Sequence, residues 1–115
     1  MFNKLKEVES RYDELMTLVS DAAIKSDQSD YRKHSKALSA IQPLVEKYRE
    51  YKATTAEATQ TQELTDGNNE DLELRELAKQ ELIILEERQN SLLAEIKILL
   101  LPKDPNDERS NIPPR

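Results

Sequence analysis

Apolar residues recur along this chain in steps of three and four. The first series is Leu5, Val8, Tyr12, Leu15, Val19 and Ala22, which falls on one face of a helix with 3.6 residues per turn and predicts a helix over about 2–23. A second series, Tyr31, His34, Leu38, Ile41, Val45 and Tyr48, predicts a helix over about 28–62, in whose last part Thr and Ala replace the large apolar residues. Asp27 stands where a carboxylate can accept from the free amides of that helix's first turn, and Asp30 adds negative charge beside the positive helix end. The third series is Leu74, Ala78, Leu82, Leu85, Gln89, Leu92, Ile96 and Leu99. It predicts a helix over about 69–101, stopped by Pro102, which disfavours helical conformation in the residue before it.

Pro43 lies inside the second series, and the series stays in phase across it. A bend near Ala40 to Pro43 is therefore expected, not a break. Thr65-Asp66-Gly67-Asn68-Asn69 is the clearest turn signal, with Gly67 able to take positive φ and Asn68 or Asn69 able to cap the next helix. The expected fold is all-α: a three-helix antiparallel bundle built on a long helical hairpin, whose second helix alone reaches roughly 50 Å. Residues 1–101 form the helical domain. Residues 102–115, with four prolines, read as an extended linker or tail.

Composition narrows the function classes. With 115 residues, 35% of them charged, a single Gly and no Cys, the chain suits one module of charge-laced helices. The absence of Cys removes disulfides, thiolate catalysis and thiolate-bound zinc, and favours a reducing, cytoplasmic setting. The N-terminus lacks the apolar core of a signal peptide, and a run such as Ile98 to Leu101 is far too short to cross a bilayer, so no membrane partner is expected. A net charge of −6 argues against DNA or RNA binding as a whole-surface property and favours a protein partner, leaving room for a local basic face.

Candidate chemistry is sparse. His34 is the only histidine and has no second ligand at metal-binding spacing, so it reads as a residue at the edge of the helical core. Glu86-Glu87 and Asp107-Glu108 are carboxylate pairs with no pocket to separate their pKa values. Ser35, Ser39 and Ser91 lie on helices without a base or an oxyanion turn. Tyr48-Arg49-Glu50-Tyr51-Lys52 mixes aromatic and basic residues and could stack on RNA, although tyrosine at this spacing more often edges a core. No catalytic, cofactor-binding or metal-binding residue is assigned, and no enzyme activity is expected. One non-catalytic possibility is a free-standing coiled-coil adaptor pairing through Leu82, Leu85, Leu92, Ile96 and Leu99.

Leu99-Leu100-Leu101-Pro102-Lys103-Asp104-Pro105-Asn106-Asp107-Glu108-Arg109 has no necessity in helix packing alone. It resembles the segment joining the N-terminal helical domain to the central domain of bacterial-type class I peptide chain release factors. Asp27 to Ser35, Leu44 to Lys52 and Leu74 to Leu82 resemble that family's second and third helices in order, so the likeness covers about residues 1–111. Within the family, Leu-Leu-Pro-Lys-Asp-Pro is similar to the linker of one of its two stop-codon specificities and unlike that of the other. Two departures stand out. Thr54 to Gln62 is richer in Thr and Ala than the family's usual hairpin arm, and after Asn111 the family's next strand and Arg-Ala-Gly-Thr-Gly-Gly motif are replaced by Ile112-Pro113-Pro114-Arg115.

The resemblance implies a shortened chain, a split reading frame or a decayed gene. It implies translation termination as the process and docking on the ribosome as the role, with the large-subunit stalk base around ribosomal protein L11 and the remaining domains of the release factor as partners. The family's stop-codon tripeptide and Gly-Gly-Gln motif have no matching positions here, so no catalytic residue carries over.

Overall fold

The computed structural model describes residues 1–66 and 71–102. They form α1 (Phe2–Ser20), α2 (Ala22–Ser26), α3 (Gln28–Thr65) and α4 (Leu72–Leu100), with no strand among the described residues. The expected helix over 2–23 is thus two helices meeting at Asp21. That residue is extended, with φ −76° and ψ 127°, and its carboxylate accepts from the Ala23 amide at 2.8 Å, so it ends α1 and caps α2 together. Ala22, counted in the first apolar series, is exposed beyond this corner, whereas Ile24 on α2 is half-buried.

Asp27 repeats the device. Its Oδ1 accepts from the amides of Ser29 and Asp30 at 3.1 and 3.2 Å, starting α3 where the sequence predicts. The helix runs 38 residues, through Pro43 without a break. Proline leaves the Ser39 carbonyl without its usual donor four residues on, and both Ser39 and Pro43 are on the exposed side. Helix α3 also passes the expected end at 62. Gln62 donates to Thr65 Oγ1 at 3.0 Å and to Asp66 Oδ1 at 3.3 Å, and the Thr65 hydroxyl donates back to the Gln62 carbonyl at 2.7 Å, tying off a further turn. Helix α4 begins at Leu72, not 69, and ends at Leu100, with Asp71 as its cap. The expected turn at Gly67 with Asn68 and Asn69, and the Pro-rich tail from Lys103, lie outside the described residues.

Helices α3 and α4 run antiparallel. Lys47 pairs with Glu95 at 3.1 Å, whereas further along α3 Glu50 pairs with Arg88 at 2.8 Å and Thr55 Oγ1 accepts from Gln89 Nε2 at 3.0 Å, so later residues of α3 meet earlier residues of α4. Helix α1 packs only on the half of α3 that precedes about residue 52. There Leu5 joins Leu44, Tyr48 and Ile96 in a buried cluster flanked by Val8, Tyr51 and Leu100. Phe2 stacks on Tyr51 with ring centroids 5.7 Å apart.

The molecule is consequently extended and flat. Its extents are 62 × 49 × 21 Å and its radius of gyration is 20.4 Å, against about 13 Å for a compact chain of this length. Two halves follow: a proximal half three helices thick, and a distal half where α3 and α4 have only each other.

The proximal half is clamped by charge as well as by apolar contact. Arg49 Nε donates to Glu9 at 2.7 Å and its Nη2 to Asp13 at 3.0 Å, while Lys52 reaches the other Glu9 oxygen at 2.9 Å. Hydrogen bonds from Arg49 and then Lys52 hold the Glu9 carboxyl below the ordinary glutamate value of 4.5, and the hydrogen bonds to Glu9 and then Asp13 raise Arg49. Because the folded-state value of Glu9 lies below the unfolded one, its contribution is full above the unfolded value and is lost as pH falls through the folded one. Glu9→Gln should therefore lower stability at pH 7 by about 1 kcal/mol or less, the cations being half exposed. In urea unfolding followed by circular dichroism, that deficit should shrink as pH falls below the ordinary glutamate value.

Candidate functional site

Among the described residues, none of those weighed for chemistry is brought into a reactive group. His34 is half-buried at the margin of α3, as a core-edge residue would be. Glu86 and Glu87 are exposed, Ser39 and Ser91 are exposed and Ser35 is half-buried. Asp107 and Glu108 lie outside the described residues. No group of three metal-ligating side chains occurs among the described residues, and no described helix is long and apolar enough to cross a membrane.

The aromatic and basic run from Tyr48 to Lys52 is occupied internally. Tyr48 is buried, Lys52 Nζ lies 4.6 Å from the centre of its ring, Arg49 is held by Glu9 and Asp13, Glu50 by Arg88, and Tyr51 by Phe2. Its residues serve as the α1–α3 joint. Most of the apolar series considered for coiled-coil pairing is spent inside the fold, Leu85, Leu92 and Ile96 being buried and Leu82 half-buried, whereas Leu99 is 43% exposed.

One exposed surface is the distal half of the hairpin. Its interior is made of small or short side chains, Thr54, Ala58 and Thr61 on α3 and Ala78 on α4, with Leu85 below them, all buried. Small interior residues bring two helices together but bury little apolar area, and no third helix covers the outer faces. Leu72, Leu77, Ile83 and Ile84 of α4 are accordingly 71, 57, 57 and 58% exposed. Leu77 and Ile84 line a groove of about 340 Å³ together with Thr61, Leu64, Leu74 and Glu81. Exposed apolar side chains grouped in this way, rimmed by charge, mark interaction surfaces.

The rim is strongly acidic. From Glu57 to Glu87 the sequence holds ten carboxylates and two cations, Arg75 and Lys79, and Lys79 lies 3.6 Å from Glu76 on its own helix. The stretch from Glu57 to Glu87 thus carries a net charge of −8, more than the whole chain's −6, and the remaining residues sum to +2. Sequence reasoning saw the acidity of the chain but not its concentration, because the apolar series of α4 accounted for one face only. The signal available was the second set, Leu77, Ile83 and Ile84, out of phase with the first.

The described residues thus form a helical hairpin whose distal end is acidic and carries exposed apolar side chains. Comparison with known proteins gives its family: the PCRF domain model matches residues 8–112, and the chain belongs to that family. It is 48% identical over 112 residues to peptide chain release factor 1 of Geotalea uraniireducens, 44% over 115 residues to that of Geobacter sulfurreducens and 44% over 112 residues to that of Listeria monocytogenes serovar 1/2a. In each case 97% of this chain is covered but only 30 or 31% of the relative. The chain therefore spans about 30% of the length of these curated relatives. No solved structure matches it.

Proposed function

We propose that this chain is the ribosome-docking module of a peptide chain release factor, serving translation termination in the cytoplasm by holding the factor on the large ribosomal subunit. The observation that carries the proposal is the distal hairpin: a long arm whose far end combines exposed Leu77 and Ile84 with a dense carboxylate rim. Such an end suits a basic protein surface, because complementary charge steers the encounter and the apolar centre supplies the contact that persists. Among large-subunit components, a basic protein of the stalk base, around L11, fits this chemistry.

In this account the chain supplies position and no chemistry of its own. Residues 1–101 act as the docking domain, and residues 102–115 lead toward the remaining domains of the factor, to which stop-codon recognition and peptidyl-tRNA hydrolysis belong. The apolar groove of about 440 Å³ formed by Pro43, Lys47, Glu95, Ile98 and Leu99 stands at that end of the hairpin.

Binding of the fluorescein-labelled chain to purified large subunits tests the proposal. Saturable anisotropy that weakens as salt rises is expected, without hydrolysis of peptidyl-tRNA by the chain alone. Failure to bind at low salt would remove the docking role.

A further inference from the structure

We propose that the outward face at the start of α3 is a contact site for the phosphodiester backbone of a structured RNA. Its cations are Arg32, Lys33 and Lys36, all exposed, and none makes an ion pair with a described residue. Between Tyr31 and Val45 the sequence contains no Asp or Glu. The nearest carboxylates on the same helix end are Asp27, whose Oδ1 accepts from the Ser29 and Asp30 amides, and Asp30 in the first turn.

Two open grooves of about 480 and 530 Å³ adjoin on this face and share Gln28, Arg32 and Lys36. Ser29 and Lys33 line one of them, and Tyr31, Ser35 and Ser39 line the other. Arg and Lys with Ser, Gln and Tyr hydroxyl and amide donors form the side-chain set that grips phosphate and sugar. Tyr31, 41% exposed, adds a ring that can stack.

An acidic protein would be drawn by the same cations, but the grooves contain no Leu, Ile, Val, Met or Phe. Protein interfaces concentrate affinity in a buried apolar or aromatic centre, whereas nucleic-acid interfaces are polar and positively charged throughout. The second aromatic-basic region of the chain is not a rival, because Arg49 and Lys52 are already neutralised by Glu9 and Asp13. Arg32 and Glu81 stand at opposite ends of the arm, since a helix rising 1.5 Å per residue separates residue 32 from residue 61 by roughly 45 Å. The module is bipolar, with cations near the α2–α3 corner and carboxylates at the distal end, so one arm can bridge an RNA segment and a basic protein.

Titration of the ¹⁵N-labelled full chain with an RNA hairpin of about twelve base pairs, followed by amide shifts, tests the site. Shifts are expected to cluster on residues 28–39, with affinity falling roughly 40-fold between 50 and 200 mM KCl for about three phosphate contacts. Arg32→Gln/Lys33→Gln/Lys36→Gln should weaken binding at least tenfold, and Lys4→Gln/Lys6→Gln/Lys97→Gln, the same charge change elsewhere, should not. Glutamine keeps helix propensity close to that of Arg and Lys, and circular dichroism verifies that both variants fold. Shifts absent at millimolar RNA, shifts centred elsewhere, or equal losses in the two variants would overturn the site. Tighter binding of poly-glutamate than of RNA at the same amides would overturn it in favour of an acidic protein partner.

Discussion

Ile96→Ala should destabilise the chain by about 3–4 kcal/mol and lower its melting temperature by roughly 15 °C. Ile96 is fully buried and meets Leu5 of α1 and Leu44 and Tyr48 of α3, so it is the contact that joins all three long helices. Truncation removes three carbons from a cluster with few neighbours able to collapse into the space, and the cost of a cavity grows with the volume left empty. Against a total stability of about 5–15 kcal/mol for a domain, such a loss is a large share. Ile98→Ala, two residues on, supplies the control: Ile98 is 66% exposed, and its substitution should change stability by about 0.5 kcal/mol or less. Thermal unfolding monitored at the helical circular dichroism band distinguishes the two. Equal effects would mean that Ile96 is not the junction of the helices.

The second large effect is on docking. Glu63→Lys/Glu76→Lys/Glu81→Lys should weaken binding to large subunits roughly 30- to 100-fold, the scale of about 2–3 kcal/mol. All three side chains are exposed on the distal half, so the fold should tolerate the change. Lysine near the C-terminal end of α3 also suits the negative pole of that helix. The same reversal on the proximal half, Glu7→Lys/Glu14→Lys/Glu46→Lys, alters net charge identically and should have a much smaller effect. Equal losses from both sets would point to bulk charge in place of a defined surface.

Much of this architecture is legible in the sequence because it rests on local rules. Asp27 caps α3 where the sequence predicts, and the series marks the buried face of α4 from Ala78 through Leu85 and Leu92 to Ile96, while its ends, Leu74 and Leu99, are exposed. The misplaced boundaries share one cause. At Asp21, at Thr65 and at Asp71, a short polar side chain bonds the backbone or a neighbour and decides where a helix stops or starts, while apolar periodicity carries no information about that choice.

The candidate surfaces were less legible. The run from Tyr48 to Lys52 looks available in sequence, and only the packing of α1 shows that Glu9 and Asp13 consume its cations. Exposure of Leu77 and Ile84 depends in turn on α1 stopping short of the distal half, a tertiary fact that no local pattern records.

Site-directed photo-crosslinking on large ribosomal subunits examines the docking surface most directly, with benzoylphenylalanine replacing Leu77 in one sample and Met16 in another. The distal probe at Leu77 should crosslink in high yield to a basic protein of the stalk base, and the proximal probe at Met16 should give little. Saturated binding with no crosslink from Leu77, or a crosslink confined to Met16, would contradict docking through the distal hairpin.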